Sequence, residues 1–433
     1  MTPSARTQAA IEILDSLEAT RAPADRIVQD YFRQRRFIGS KDRRAISEMI
    51  FGVMRARARL DWWLDRAGAA AFDARHRVLA YVAIVGEASP AGVFDGSKFG
   101  PECLSAEEAR LAEALLGRSL DHPEQPEWLK LETPEWLWPA LQATLGKFTK
   151  AELVALNQPA GLDLRVNRLQ GEREEAQAKL AEAGIETQPG SLSPLCLRAD
   201  GRKPIAGLEA FREGLVEVQD EGSQIVALLT GAEPGMRVCD FCAGAGGKSL
   251  AMAAEMANKG HIVACDTSKG RLDRSAVRFK RAGVFNIHRR PLKSARDVWV
   301  KKHRRDFDRV LVDAPCSGSG TWRRNPDAKW RLRESDIDEL IVLQAEILDS
   351  AARLVRPGGR LVYATCSFLE VENQRQADRF LAEHDDFRTV DLEQAWSETL
   401  PGAPPCPGPY LQLLPGRDGT DGFFAAVFER QAR

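Results

Sequence analysis

The chain has 433 residues, of which 44% are hydrophobic and 28% charged, and a formal net charge of −1. Its length exceeds one ordinary core and predicts two or three domains, while its composition excludes a disordered or fibrous protein. No apolar run approaches the ~20 residues that span a bilayer, and the N-terminus shows no basic-then-apolar secretion pattern, so no membrane association and a cytoplasmic location are expected.

Residues up to about 146 read as a helical domain and linker. Ser4 is placed to cap a first helix carrying Ile11, Leu14 and Leu17. Ser40 starts another, with Ile46, Ile50, Val53 and Met54 inward and a basic side continued by Arg55, Arg57 and Arg59. A stretch with prolines at 123, 126, 134 and 139 reads as a semi-rigid connector, anchored by Trp128, Trp136 and Trp138. Residues 147–225 form a small α/β accessory unit: LDLRVN, CLRA and LVEVQD are strand-like, and GEREEAQAKLAEAG is a helix ended by Gly184.

From 226 to 433 strands and helices alternate: MRVCDF, a helix from Lys248, HIVACD, a basic helix, VFNIH, FDRVLVDA, a long helix and RLVYATC. Alternation of this kind predicts an α/β fold with a mostly parallel, doubly wound, Rossmann-like sheet. Leu340, Leu343, Ile347, Ala351 and Leu354 mark the inward side of the long helix. Charge is uneven here: Lys269–Arg309 holds fifteen Lys/Arg against four Asp, and TWRRNPDAKWRLR (321–333) is a second basic run with two tryptophans. Such runs are commonly solvated helix faces, but beside the motifs below they are consistent with a polyanionic partner.

The segment VCDFCAGAGGKS (238–249) passes from strand through a glycine-rich turn into a helix, where backbone amides face a ligand. A P-loop would need glycine at Cys242, so that motif fails. A zinc site on Cys239 and Cys242 lacks a second pair, so no metal is expected. Nucleoside binding remains, with Asp266, at the end of HIVACD, in the slot for an acid that accepts ribose hydroxyls. The loop alone leaves a dinucleotide and S-adenosylmethionine open.

Eight scattered cysteines make no disulfide framework. Two of them, in DAPCSGSG and ATCS, follow apolar strands, so Asp313, Cys316 and Cys366 are expected at the carboxyl edge of the sheet. A thiolate adding to carbon 6 of a pyrimidine makes carbon 5 nucleophilic enough to accept a methyl group. A carboxyl group beside the base, here Asp313, can hydrogen-bond and help protonate the ring, and a second group can assist expulsion of the thiol.

VQDEGSQ (218–224), DFCAGAGGKS, DAPCSGSG, YATCS with its following ExEN, and the terminal DGFF (421–424) occur together and in this order. The chain thereby resembles the Sun/Nop, or Fmu-like, family of RNA cytosine carbon-5 methyltransferases, a likeness that covers most of its length. IGSKDRRAI in the helical part is similar to the NusB-like RNA-binding domain of bacterial members. The resemblance implies S-adenosylmethionine as cofactor, held by Cys242, Ala243, Gly244, Ala245, Gly246, Gly247, Lys248, Asp266 and Asp313. It implies structured RNA as substrate, ribosomal before transfer RNA, and a monomer is expected. It makes Cys366 the nucleophile, Cys316 the group assisting product release and Asp313 the base contact. A Pro-Cys motif like that of DNA cytosine methyltransferases favours Cys316 instead, and the TCS motif tips the assignment to Cys366. The chain departs from the family's usual CAAPGGKT by reading CAGAGGKS, and RRPLKS (289–294) stands where an aspartate commonly lies near the adenine, leaving that contact open. The alternatives are uridine methylation, an RNA-binding assembly factor with a degenerate pocket, and a thiol redox sensor.

Overall fold

The computed structural model describes residues 1–20, 22–86, 88–201 and 203–432. It divides into two compact units, the first comprising Met1–Gln142, Lys147–Asn157 and Trp322–Leu332, the second the remainder. Among the described residues no helix is long and apolar enough to cross a membrane.

The first unit is helical. Its opening helix, Pro3–Glu18, is capped by Thr2, whose hydroxyl accepts from the Ala5 amide at 3.2 Å, with Pro3 in the first turn. Ser4 therefore lies inside the helix, not at its cap, and its hydroxyl donates to Asp95 at 2.7 Å. Ile11, Leu14 and Leu17 are buried, as their spacing predicts, and Ile46, Ile50, Val53 and Met54 of Ser40–Arg55 join the same core. That helix ends at Arg55, so Arg57 and Arg59 belong to the next one, Arg57–Arg66. The expected basic side is partly consumed within the unit: Arg59 pairs with Asp121 and with buried Glu132, each at 2.8 Å. The proline-rich connector folds into short helical turns anchored by Leu129, Leu131 and Leu137; Trp136 stays exposed.

The second basic run also turns inward. Trp322, Arg323, Asp327 and Lys329 are buried, and the Trp330 indole donates to the Met54 carbonyl at 3.3 Å. The Lys329 ammonium donates to Asn157 at 3.1 Å; burial lowers its pKa, and the Glu132 carboxylate opposes that shift. Glu132 also accepts from the Ala58 and Arg59 amides. Glu132→Ala would strand these donors and two cations in a dry interior, and should cost about 3–5 kcal/mol of unfolding free energy. Urea denaturation followed by tryptophan fluorescence measures that loss.

The second unit contains two sheets. In the smaller, β1 (Leu162–Val166), β2 (Gln188–Pro189), β3 (Cys196–Ala199) and β4 (Val216–Val218) lie in the order β2-β3-β1-β4, all antiparallel. The helix Arg173–Glu182 covers it through Ala176 and Leu180. The larger sheet comprises β5 (Arg237–Asp240), β6 (His261–Asp266), β7 (Ile287–Pro291), β8 (Phe307–Asp313), β9 (Val355–Thr365), β10 (Phe387–Thr389), β11 (Leu411–Leu413) and β12 (Phe423–Arg430). Its order is β10-β12-β9-β8-β5-β6-β7, with β11 beside β12. The strands β7-β6-β5-β8-β9 run parallel, and the last three elements add antiparallel.

Both faces are covered, and residue alternation decides which side chain goes where. Val310 and Val312 join one core cluster while Leu311 joins the other, and Leu361 and Tyr363 part from Val362 in the same way. β7 begins only at Ile287, later than VFNIH suggests, because Gly283 at φ +68° turns the chain out of the preceding helix. Val284 lies in that turn, and Phe285 is 81% exposed.

Candidate active site

Parallel pairing of β8 with β9 sets Asp313 against Ala364, so both strands deliver their following loops to one edge. The Ala314 amide donates to Ala364 O at 2.8 Å, and the Gly320 amide to Cys366 O at 2.9 Å. These bonds hold the loops side by side, with the Cys316 and Cys366 sulfurs 3.5 Å apart. Both thiols line a cavity of about 840 Å³ together with Cys242, Ala243, Gly244, Ala245, Gly247, Lys248, Asp266 and Asp313. Of the residues picked out from sequence, only Gly246 stands outside the lining. It caps the helix Gly247–Glu255 in the left-handed region at φ +80°, and a Cβ there would lie 2.5 Å from the Phe279 ring.

The glycine turn is tied to Asp266, which accepts from the Gly244 amide at 2.8 Å and the Ser268 amide at 2.6 Å. Arg165, buried on β1, donates to Gln219 and, at 2.7 Å, to the Gly247 carbonyl, joining the small sheet to the loop. Asp240 was not legible as a site residue, although it precedes the loop by two positions. Its carboxyl accepts from Ser249 through Oδ2 at 2.6 Å, its Oδ1 is buried without a partner, and burial raises its pKa to about 7.

Lys248 was expected only among the cofactor contacts. Its ammonium donates to Asp313 at 2.7 Å. Burial works against the Lys248 charge, but Asp313 and, more weakly, Cys366 outweigh it and the pKa rises. The Cys316 thiol is pushed well above its ordinary value, first by its hydrogen bond to Cys366 and then by burial. Leu343, expected inward, is 40% exposed and lines the cavity with Ile347, while Arg271 and Lys293 line it from the β6–β7 side. In RRPLKS, Lys293 and Ser294 reach the cavity where the sequence left the adenine contact open.

A cleft beyond the carboxyl ends of a parallel sheet, lined by a glycine turn, the acid that ends β6 and two strand-end thiols, has the arrangement of a Rossmann-like methyltransferase fold. A family model described as "16S rRNA methyltransferase RsmB/F" matches residues 227–429, and one described as "Methyltr_RsmF/B-like, ferredoxin-like domain" matches 133–206. "Ribosomal RNA small subunit methyltransferase B" of Klebsiella pneumoniae (strain 342) is 34% identical over 90% of each chain. The protein of that name from Escherichia coli O127:H6 is 33% identical over 90% of this chain and 91% of its own. Among solved structures, PH0851 superposes with a TM-score of 0.80 at 27% identity, covering 99% of each chain. NSun6 from Pyrococcus horikoshii, solved with SFG, matches 70% of this chain and 100% of its own at 21% identity and a TM-score of 0.62, a likeness of fold. The chain belongs to the RsmB/F family of ribosomal RNA methyltransferases.

Proposed function

We propose that this RNA methyltransferase modifies carbon 5 of a cytosine in small-subunit ribosomal RNA through a covalent bond from Cys366 to carbon 6. The observation that carries the reading is the pair of thiols, 3.5 Å apart, in the same cavity as the glycine turn.

The cavity suits S-adenosylmethionine. Asp266 keeps acceptor capacity for ribose hydroxyls, the unpartnered Asp240 Oδ1 awaits a donor such as the amino group of the methionine part, and the Gly244 turn leaves room for a close approach. When bound, the cofactor supplies an electrophilic methyl group. The residues proposed to hold it are Cys242 through Lys248, Asp240, Asp266 and Asp313.

In the proposed cycle the Cys366 sulfur, as thiolate, forms a bond to carbon 6, and the electron pair released makes carbon 5 nucleophilic. The Lys248 ammonium lines the same cavity as the Cys366 sulfur. Asp313, bonded to Lys248, accepts a hydrogen bond from the base edge and holds the ring in place as charge develops. After carbon 5 has gained the methyl group, its proton leaves to a base, the carbon–sulfur bond breaks, and Cys366 departs as thiolate. Cys316 sits against the departing sulfur and assists that step. In this reading residues 1–146 supply a NusB-like RNA-binding part, 147–225 an accessory unit and 226–433 the catalytic domain of a monomer.

Bisulfite sequencing of small-subunit RNA incubated with the protein and S-adenosylmethionine tests the target atom. A newly protected cytosine is expected; methyl transfer with no protected cytosine would overturn the carbon-5 assignment.

A further inference from the structure

ExEN was visible in the sequence as a pattern with no role. In the structure its second acid, Glu372, is completely buried in the turn after β9. Four donors converge on the carboxyl group, and among the described residues no Lys or Arg is paired with it. Oε1 accepts from the Ser317 amide at 2.8 Å and from Gln344 Nε2 at 2.9 Å. Oε2 accepts from the Ser317 hydroxyl at 2.6 Å and from the Ser367 hydroxyl. A buried carboxyl group is costly unless it is hydrogen-bonded, so these four bonds fix its geometry closely.

The two serines are the residues next to the two thiols. Ser317 follows Cys316 and Ser367 follows Cys366, and Gln344 also donates to the Pro315 carbonyl at 3.0 Å. The Glu372 carbonyl in turn accepts from the Tyr363 hydroxyl at 2.6 Å, anchoring the turn to β9. One carboxylate thus ties together the strand-end loops that carry the sulfurs. The groups facing Cys316 are Cys366 and Tyr363 from β9 and its end, Glu372 from the turn, the Lys248–Asp313 pair across the cavity, and Glu346 from the helix Glu334–Ala352. Glu346 is paired with Arg296, and Asp313 with Lys248.

We infer that Glu372 is the positioning residue of the thiol pair: through the two serines it sets the distance between Cys316 and Cys366, and its carboxyl group faces Cys316. That proximity is felt by the Cys316 thiol, on which Glu372 acts to raise the pKa after Cys366 and burial. This role rests on the two-thiol reading proposed above.

The experiment compares the full-length parent with Glu372→Gln and with the Ser317→Ala/Ser367→Ala double variant. Iodoacetamide alkylation is followed per cysteine by peptide mass spectrometry across pH without RNA, and methyl transfer is assayed separately. Replacing the carboxyl group should shift the Cys316 profile to lower pH, by about one unit, or about tenfold more thiolate at a given pH below the midpoint. kcat should fall at least about tenfold, with the KM for RNA and cofactor unchanged. The serine double variant keeps the carboxyl group, so it should lose kcat while its Cys316 profile stays in place. A parental Cys316 profile in Glu372→Gln, or parental kcat in the double variant, overturns the inference. If Glu372→Gln does not fold, the double variant decides alone. Because alkylation needs no turnover, its failure is separable from failure of the two-thiol reading, which shows instead as full activity in Cys366→Ala.

Discussion

Cys366→Ala should abolish methyl transfer, by about 10⁴-fold or more in kcat, while cofactor binding stays at the parental level. The size follows from chemistry. Without addition at carbon 6, carbon 5 of cytosine has no electron pair to offer, and no other side chain on that loop can supply one. Cys366 is half-buried at the edge of a core cluster of the second unit, so loss of the sulfur removes little packing and the fold should survive. Transfer of labelled methyl to RNA, set beside calorimetric titration with the cofactor, checks both halves. Serine at this position should rescue little, since its hydroxyl remains protonated where a thiol ionises.

Cys316→Ala should give the opposite phenotype. Addition and methyl transfer continue, but release of the product slows, so the protein accumulates bonded to its RNA and runs as a retarded band on a denaturing gel. The structural basis is the 3.5 Å contact that puts Cys316 within hydrogen-bond reach of the Cys366 sulfur. Multiple-turnover rate should fall about 10²-fold or more, in the range expected for loss of an acid–base group, with a smaller effect on the first turnover. The band should vanish in the double variant that also lacks Cys366. A Cys316→Ala protein that turns over freely would leave the second thiol with no part in release.

The contrast between the two variants also shows what could be read from sequence. Both cysteines were legible because each follows a short apolar strand, and period-two alternation places the end of such a strand at the ligand-binding edge. Lys248 and Asp266 were legible through spacing from the glycine turn. The bond between Lys248 and Asp313 joins residues 65 positions apart and has no local signature. Glu372 lies five residues beyond Ser367 but 55 beyond Ser317, so its bridging role emerges only when β8 and β9 pair. Asp240 read as one residue of the strand MRVCDF, and its bond to Ser249 on the helix Gly247–Glu255 has no local signature.

The basic run at 321–333 gave the largest divergence. Lys and Arg in a row suggest a solvated or RNA-facing surface, yet Lys329 and Arg323 are buried, and Glu132 and Asn157 from distant segments meet the Lys329 ammonium. Composition cannot anticipate that, since each partner is more than 170 residues away in the chain or on a separate helix. The antiparallel strand β12 was missed for a related reason: DGFF marked a motif, but FFAAVFER is apolar enough to suit a buried helix as well as a strand. Its pairing with β9, Phe424 against Thr365, decides the matter and braces the strand that ends at Cys366.

The division of labour between the sulfurs is open to one direct measurement. RNA carrying 5-fluorocytosine at the target loses no proton from carbon 5, so the adduct persists and can be digested and mapped by mass spectrometry. The account predicts the nucleotide mass on the tryptic peptide LVYATCSFLEVENQR, at Cys366. The same mass on VLVDAPCSGSGTWR, at Cys316, would contradict it.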